Sequence, residues 1–288
     1  MKLESFAKIN LGLEVLGRRP DGFHEIRTLF QSIDFHDTLD FEPDRRGVIR
    51  LEGDDPAVPW DERNLVHRAA LLVRERTGSG AGVRIRVTKR IPAGAGLGGG
   101  SSNAAATLLG LNRLWGLGLS VETLMDLAAR LGSDVAYFLV GGLCLGEGRG
   151  ERISPLPDLP RWHGVVVLPP ITSLTAEVYA RVRPSLTSPG KDSRISRFLQ
   201  SLEVGSLENR LEQTVFRLYP RLKDIKRFFQ SRGAALSLVS GSGSAVFGLF
   251  RNREEAERGW TEAQKRHPSV LVATLTRDEH GKGMSAGV

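Results

Sequence analysis

A glycine-rich run is the feature that most constrains how this chain folds. Five of the seven residues from Gly94 to Gly100 are glycine, and Ser101 and Ser102 follow them directly. The next segment, NAAATLLGLNRLWG, has no acidic residue and predicts a helix that ends at Gly116. Glycine lets phosphate oxygens come close to backbone N–H groups, and a helix N-terminus favours negative charge. The run therefore predicts a phosphate-binding loop.

Two other interpretations of the run start from the same residues. One is a flexible turn in which serine caps the following helix, and it stays open. The other is a dinucleotide-binding loop, because the spacing GxGxxG occurs at Gly94, Gly96 and Gly99. That loop follows a strand buried on both faces and precedes an acidic residue by about 20 positions. Here the strand alternates through Arg84 and Arg86, and Glu122 falls in the first turn of another predicted helix, so this site is disfavoured.

Alternating patterns predict strands, the first of them near the N-terminus. Residues 7–15 place an apolar side chain at every second position, which predicts a strand with one buried face. Lys8, Asn10 and Glu14 share the other, solvated face. Pro-Asp-Gly turn residues follow before a second extended segment, so an antiparallel hairpin is expected.

The whole pattern predicts an α+β fold with two domains. A helix is predicted over 64–76, whereas 42–60 is predicted to be irregular because it is rich in Asp, Gly and Pro. Prolines concentrate again near 154–160. This places one domain at 1–155 and a second at 156–288.

The second half is predicted to mix strands and helices. A hairpin is expected at 236–250, and a last strand is expected near 269–275. Residues 183–194 are predicted as a loop and residues 281–288 as a frayed tail.

Net charge leaves two classes of partner to consider. Lys and Arg number 40 against 33 Asp and Glu, and the resulting charge of +7 could favour nucleic acid or phosphorylated ligands. The basic residues are scattered and interleaved with acids, which favours an ordinary solvated surface and no nucleic-acid partner. An RNA-binding protein is the alternative from a different class, and a thermal shift with ATP·Mg²⁺ against RNA would discriminate the two.

The cysteine content and the N-terminus indicate a compartment. Cys144 is the only cysteine, which excludes an internal disulfide and fits a reducing cytoplasm. No signal-peptide pattern opens the chain, and no apolar run reaches the roughly 20 residues that span a bilayer. A cytoplasmic protein without a membrane partner is therefore expected.

Five ordered segments resemble the GHMP kinases. In chain order they are AKINLGLEVLGRRPDGFHEI, NLVHRAA, PAGAGLGGGSSNAA, LGSDVAYFLVGG followed by GEGRGE, and SGSGSAVFGLF. Their spacing matches the family over most of the chain, most weakly at 42–60 and 183–205. The resemblance implies a glycine-loop domain like one found in a ribosomal protein, a C-terminal ferredoxin-like domain and an active site in the cleft between them.

The resemblance also implies the catalytic and nucleotide-binding residues. Asp134 is expected to accept the substrate's hydroxyl proton, and Lys8 to orient that carboxylate and offset negative charge on the phosphoryl group. ATP and Mg²⁺ are expected at the loop, with a serine hydroxyl on phosphate and metal and no direct metal ligand assigned. The nucleotide-binding residues are Pro92, Ala93, Gly94, Ala95, Gly96, Leu97, Gly98, Gly99, Gly100, Ser101 and Ser102.

On the substrate side, the family pattern implies contacts from Asn10, Phe23, His24 and Tyr179. The two aromatic residues and the histidine correspond to contacts with a cytosine ring, and the asparagine lies near the acceptor. The family's tyrosine is Phe23 here, which keeps a stacking face but loses a hydroxyl. Read without the family, Asp134 is a helix N-cap, Lys8 a solvated strand residue, and Phe23 and Tyr179 are core residues.

The implied reaction is ATP-dependent phosphorylation of the 2-hydroxyl of 4-diphosphocytidyl-2-C-methyl-D-erythritol in non-mevalonate isoprenoid precursor biosynthesis. The partner is thus a small cytidine diphosphate compound, and monomer and homodimer both stay open. The alternative within the family is a kinase for another alcohol, such as homoserine or a mevalonate derivative.

Overall fold

The first half of the chain is built on a six-stranded sheet. A computed structural model describes residues 1–182 and 193–284. The sheet has the order β3-β4-β2-β5-β6, with β1 paired to β2, and every pairing except β3–β4 is antiparallel. The strands are β1 (Lys2–Arg18), β2 (His24–Asp44), β3 (Ile49–Gly53), β4 (Gly82–Thr88), β5 (Leu143–Gly148) and β6 (Arg152–Pro155).

Four helices cover one face of this sheet. They are α1 (Leu65–Thr77), α2 (Gly99–Leu114), α3 (Val121–Leu131) and α4 (Val135–Val140). Asn64 caps α1 through the backbone N–H of Val66, and Ser120 caps α3 through that of Thr123. Their apolar sides form one buried cluster with the sheet. The predicted hairpin of β1 and β2 and the predicted helix at 64–76 are confirmed.

The second half is built on a four-stranded antiparallel sheet of order β10-β7-β9-β8. Its strands are β7 (His163–Val167), β8 (Leu236–Val239), β9 (Val246–Phe250) and β10 (Ser269–Ala273). The helices are α5 (Thr175–Ala180), α6 (Arg194–Ser201), α7 (Glu212–Leu218), α8 (Arg221–Ser231), α9 (Arg253–Ala263) and α10 (Arg277–Gly283), with a 3₁₀ turn at Val204–Ser206. The predicted hairpin at 236–250 and last strand near 269–275 are confirmed.

A separate buried cluster lies between the two sheets. Ile9 and Leu11 of β1 contribute to it from one side, and Leu238 and Phe247 contribute from the other. The alternating apolar residues of β1 therefore face the second half of the chain. The first sheet ends at Pro155 and the second begins at His163, while the division at 155/156 stays a prediction.

The predicted solvated face of β1 is wrong. Lys8 is 4 % exposed, Asn10 2 % and Glu14 7 %. The strand lies between the second half on one side and α2 with the candidate site on the other. Lys8 and Asn10 are buried with polar partners, and Glu14 accepts a hydrogen bond from the backbone N–H of Ile195 at 3.1 Å.

Three other expectations need correction. The stretch 42–60 is not irregular throughout, since it contains the end of β2 and all of β3, which pairs parallel with β4. Helix α2 begins at Gly99, so Ser101 and Ser102 lie in its first turns rather than before it. Of the predicted frayed tail, 281–283 belong to α10, whereas 285–288 lie outside the described residues.

Helix α10 is fixed to the first half by a buried histidine. His280 is 2 % exposed, and its Nε2 donates to the carbonyl oxygen of Phe138 in α4 at 3.0 Å. A capping box of Thr276 and Glu279 begins α10. Of the predicted loop at 183–194, residues 183–192 lie outside the described part of the chain.

Among the helices described, none is long and apolar enough to cross a membrane.

Candidate active site

A cleft of about 1050 Å³ contains almost all of the predicted site residues. Its walls include Lys8, Asn10, Phe23, His24, Asp134, Tyr179 and, from the glycine loop, Pro92 to Gly96 and Gly98 to Ser101. Leu97 and Ser102 are the predicted residues that do not line it. This volume is at the upper end of the range for ligand pockets.

The glycine loop is held by both halves of the chain. The backbone N–H of Lys8 donates to the carbonyl oxygen of Leu97 at 3.0 Å. From the second half, the N–H of Ala245 donates to the carbonyl of Ala95 at 3.0 Å, and the Ser240 hydroxyl donates to that of Gly96 at 2.8 Å. The loop is therefore a fixed part of the contact between the two sheets.

Close packing explains two of the glycines. Gly96 has φ 76°, and a Cβ there would lie 2.1 Å from the carbonyl oxygen of Ser240. Gly98 has φ 74°, and a Cβ there would lie 2.6 Å from the ring of Phe138 and 3.3 Å from Cε of Lys8. Only glycine combines this left-handed backbone with such neighbours.

The start of α2 presents free donors to the cleft. Gly98 is the N-cap residue and makes no side-chain capping bond, and no acidic residue lies in the first turn. The first N–H groups of a helix have no partner within it, so they are available to an anion. Ser101 lines the cleft, whereas Ser102 is fully buried and accepts a hydrogen bond from the Ser5 hydroxyl at 2.7 Å. The interpretation of the run as a flexible turn with a serine cap is therefore wrong.

A buried carboxylate fixes the entrance to the glycine loop. Asp37, which is 0 % exposed, accepts hydrogen bonds from the N–H groups of Arg90 and Ile91 at 2.7 and 2.8 Å. Lys89 forms an ion pair with the same carboxylate. Sequence reasoning missed this anchor, since a lone aspartate in a strand pattern carries no distinguishing feature.

Asp134 and Lys8 face each other across the cleft floor. Lys8 Nζ lies 3.6 Å from Asp134 Oδ2, and Asp134 is 34 % exposed. Asp134 occupies the N-cap position of α4 but makes no capping hydrogen bond, so the capping interpretation does not explain its side chain. The carboxylate is instead open to a ligand and paired with an ammonium group.

A chain of buried hydrogen bonds orients this pair. Lys8 Nζ donates to Asn10 Oδ1 at 2.7 Å, and Asn10 Nδ2 donates to the Thr28 hydroxyl at 2.8 Å. That hydroxyl donates to the carbonyl of Gly12 at 2.8 Å. Burial lowers the pKa of Lys8, and the neighbouring Asp134 carboxylate offsets part of that effect. The amide orientation of Asn10 is set because its oxygen must face the ammonium donor.

The aromatic residues form the other end of the cleft. The rings of His24 and Tyr179 are 5.2 Å apart and tilted by 38°. Phe23 is 53 % exposed, so its interpretation as a core residue is wrong. Burial, followed by the charge of Arg18, lowers the pKa of His24 and so favours the neutral ring.

The cleft also contains residues that sequence reasoning did not single out. They are Arg18, Thr28, Ser133, Arg149, Thr175, Gly241 and Ser242 among others. The motif SGSGSAVFGLF contains Gly241 and Ser242, and the motif GEGRGE contains Arg149. Neither motif by itself indicates which of its residues line the cleft. Arg149 lies with its guanidinium carbon 4.8 Å from the centroid of the Phe23 ring.

Comparison with known proteins places this site in a family. Residues 64–142 match the GHMP kinases N-terminal domain, and residues 188–269 match the GHMP kinases C-terminal domain. The chain is 42 % identical over 273 residues to the 4-diphosphocytidyl-2-C-methyl-D-erythritol kinase of Pelotomaculum thermopropionicum, covering 92 % of this chain and 94 % of that protein. The same-named kinase of Solibacter usitatus is 47 % identical over 262 residues, covering 87 % and 81 %.

The chain belongs to the GHMP kinases, in the family of the 4-diphosphocytidyl-2-C-methyl-D-erythritol kinases.

Solved structures agree with this assignment. A crystal structure of 4-(cytidine 5'-diphospho)-2C-methyl-D-erythritol kinase aligns with a TM-score of 0.82 and 39 % identity over 95 % of this chain and 99 % of that one. A homoserine kinase from Cytophaga hutchinsonii aligns with a TM-score of 0.76 at 21 % identity, which shows the shared GHMP fold alone. The predicted fold is confirmed, and the chain is a kinase that uses ATP to phosphorylate an alcohol.

Proposed function

We propose that this kinase transfers the γ-phosphoryl group of ATP to the 2-hydroxyl of 4-diphosphocytidyl-2-C-methyl-D-erythritol, in non-mevalonate isoprenoid precursor biosynthesis. The pairing of Lys8 Nζ with Asp134 Oδ2 at 3.6 Å carries the chemical part of the proposal, because both groups face one cleft beside a glycine loop. The names of its relatives support the substrate.

In the proposed reaction, Asp134 accepts the proton of the attacking hydroxyl. Its carboxylate is open to the cleft, and Asn10 and Lys8 hold its surroundings in one arrangement. Phosphoryl transfer passes through a loose transition state, so alignment and charge compensation contribute more than base strength. The Lys8 ammonium supplies that compensation beside the loop, since a Cβ built on Gly98 would lie 3.3 Å from Lys8 Cε.

The glycine loop is proposed to bind the ATP phosphates. The N–H groups at the start of α2 and the positive end of its dipole favour an anion there. Leu97 is proposed to contribute through its backbone, because its side chain is 1 % exposed and faces the core. Ser102 is proposed to support the loop from behind, through Ser5, rather than to touch the nucleotide.

Mg²⁺ is proposed to accompany ATP and to neutralise charge on its phosphates. No group of three or more His, Cys, Asp or Glu side chains within 1–182 and 193–284 could hold a metal ion by itself. Mg²⁺ commonly needs only one or two protein ligands besides substrate phosphates and water, so such a cleft fits it. Ser101 lines the cleft, and its hydroxyl is the proposed contact.

We expect the cytosine to lie against the aromatic end of the cleft. The double change Phe23→Ala and Tyr179→Ala should raise the KM for the cytidine diphosphate substrate at least about tenfold, because stacking on a base contributes roughly 1–3 kcal/mol. The KM for ATP should stay within about threefold, since the glycine loop binds ATP elsewhere. Steady-state kinetics with each substrate varied in turn measures both values.

Phe228→Ala is the matched control for this prediction. Phe228 lies outside the cleft and also has an arginine guanidinium, that of Arg232, 5.0 Å from its ring centroid. It should leave both KM values unchanged. A double variant that instead loses ATP affinity would assign the aromatic end to the nucleotide.

His24 is proposed to read the edge of the cytosine, since its neutral ring can both donate and accept. A coupled ADP-release assay over a panel of alcohols tests the substrate as a whole. The panel contains the cytidine diphosphate compound, its uridine form, homoserine and mevalonate. Turnover confined to the cytidine compound is the expected result, and turnover of homoserine or mevalonate alone would replace the proposal with the alternative substrate.

The wider setting of the enzyme is part of the proposal. We propose two domains, at 1–155 and 156–288, a cytoplasmic location and action as a monomer or homodimer without a nucleic-acid partner. The first core cluster supports the division, because all of its fully buried residues except Met284 precede residue 155. Limited proteolysis and light scattering test the division and the oligomeric state.

A further inference from the structure

The charges that line the cleft are unequal. Lys8, Arg18 and Arg149 line it with positive charge, and among the described lining residues Asp134 is the only carboxylate. The formal balance is three positive charges against one negative, or +2. Lys8 belongs to the reacting centre beside Asp134. The two arginines have no role in the chemistry described so far.

Arg149 lies between the two ends of the cleft. Its guanidinium stacks over Phe23, at the aromatic end, with 4.8 Å between the guanidinium carbon and the ring centroid. Its neighbour Gly150 reaches the other end, because a Cβ built there would lie 4.0 Å from Asp134 Oδ1. The backbone of this turn therefore lies beside the Asp134 carboxylate, and the Arg149 side chain extends from it to the aromatic end.

The backbone around Arg149 is fixed. The turn between β5 and β6 is closed by the N–H of Gly150, which donates to the carbonyl of Glu147 at 3.0 Å. The N–H of Arg149 donates to Glu151 Oε2 at 2.6 Å. Its side chain is held more loosely, since Nε lies 3.9 Å from Glu151 Oε1 and the group is 33 % exposed. Most of the guanidinium donors thus remain available to a ligand.

Arg18 reinforces this region from the end of β1. It pairs in register with His24, lines the cleft and is exposed. Within the described residues, its side chain makes no ion pair or hydrogen bond. An arginine that is exposed to a ligand cleft and carries no counter-charge is suited to a phosphate group.

We propose that Arg149, assisted by Arg18, binds the diphosphate of the nucleoside diphosphate substrate. This inference rests on the proposed function, in which that diphosphate joins the cytidine to the alcohol bearing the accepting hydroxyl. If cytosine lies at Phe23 and the hydroxyl at Asp134, the diphosphate crosses the interval between them, next to the turn that carries Arg149. The Phe23 ring then has a second role, which is to hold the guanidinium by a cation–π contact that needs no phenol hydroxyl.

The test compares ligands with and without the diphosphate. In the wild-type protein, cytidine diphosphate should bind at least about tenfold more tightly than cytidine, as measured by calorimetry. Arg149→Gln should reduce that ratio to within about threefold of unity by weakening cytidine diphosphate alone. Arg149→Lys should give an intermediate ratio, because a lysine keeps the charge but loses the paired donors of the guanidinium.

Kinetics separate the substrate diphosphate from the ATP phosphates. Arg149→Gln should raise the KM for the cytidine diphosphate substrate at least about tenfold and leave the KM for ATP within about threefold. Arg152→Gln is the control, since Arg152 is on the same hairpin, 64 % exposed, and paired with Glu25 rather than lining the cleft. A rise in the KM for ATP alone would assign Arg149 to the nucleotide and overturn the inference.

Failure of this inference differs from failure of the proposed function. An unchanged ratio of cytidine diphosphate to cytidine affinity in Arg149→Gln, with normal turnover by the wild type, overturns the diphosphate subsite only. A wild-type protein that neither turns over the cytidine compound nor binds cytidine diphosphate overturns the proposed function itself. Thermal unfolding of each variant shows whether the hairpin is intact.

Discussion

Replacing Asp134 by asparagine is expected to lower kcat by at least about 10²-fold while the Kd of ATP stays within about threefold. The change removes the proposed proton acceptor without changing the size of the side chain. Asparagine is as good an N-cap residue as aspartate, so α4 should keep its stability. Single-turnover rates, ATP titration and thermal unfolding measure the three quantities.

The control for this variant is an exposed aspartate on a neighbouring helix. Asp126→Asn in α3 also removes one negative charge from the surface, and it should leave kcat unchanged. A near-normal kcat in Asp134→Asn would mean that another group accepts the proton. The pairing of Asp134 with Lys8 would then be structural.

The second large effect is expected from a charge placed at the start of α2. Gly100 is exposed, lies in the first turn and lines the cleft, and the nearest atom to a Cβ there is Leu65 Cδ1 at 3.9 Å. Gly100→Glu should raise the KM for ATP at least about tenfold, because a carboxylate there repels the phosphates. The same carboxylate should stabilise the helix by about 0.3–1 kcal/mol through the dipole.

The expected effects on ATP affinity and on helix stability have opposite signs, which distinguishes this result from a general loss of folding. A mutation that merely damages the fold lowers stability and ATP affinity together, whereas Gly100→Glu should lower only affinity. Gly100→Gln has the same size without the charge and should retain most of the affinity. Equal KM values for ATP in the Glu and Gln variants would place the phosphates away from this helix end. Gly98 is less suitable for this test, because any side chain there meets Phe138.

Local patterns predicted much of the fold. The period of two in β1, the turn residues after it and the predicted helix at 64–76 all correspond to observed elements. Helix α10 could also have been found, since Thr276 and Glu279 have the spacing of a capping box. Strand β3 was harder to find, because it is only 5 residues long and its neighbours are rich in turn-forming residues.

Sequence patterns alone could not predict the arrangement of the site. The family resemblance led to Lys8 and Asp134 as the proposed catalytic pair. A period of two cannot show that the polar face of β1 is buried, because the covering groups come from distant segments. The choice between Ser101 and Ser102 also depends on where the helix starts and on the contact with Ser5. The role proposed for Arg149 could not be predicted either, because it depends on the fold bringing the β5–β6 turn next to Phe23.

The attachment of the glycine loop to both sheets has a consequence for how the molecule unfolds. Hydrogen bonds to Leu97 from one side and to Ala95 and Gly96 from the other make the loop a mechanical link. A nucleotide bound there should slow hydrogen exchange in β1 and in the β8–β9 hairpin to a similar degree. The two halves should therefore lose their structure in one cooperative transition, and ATP should raise the midpoint of that transition as a whole.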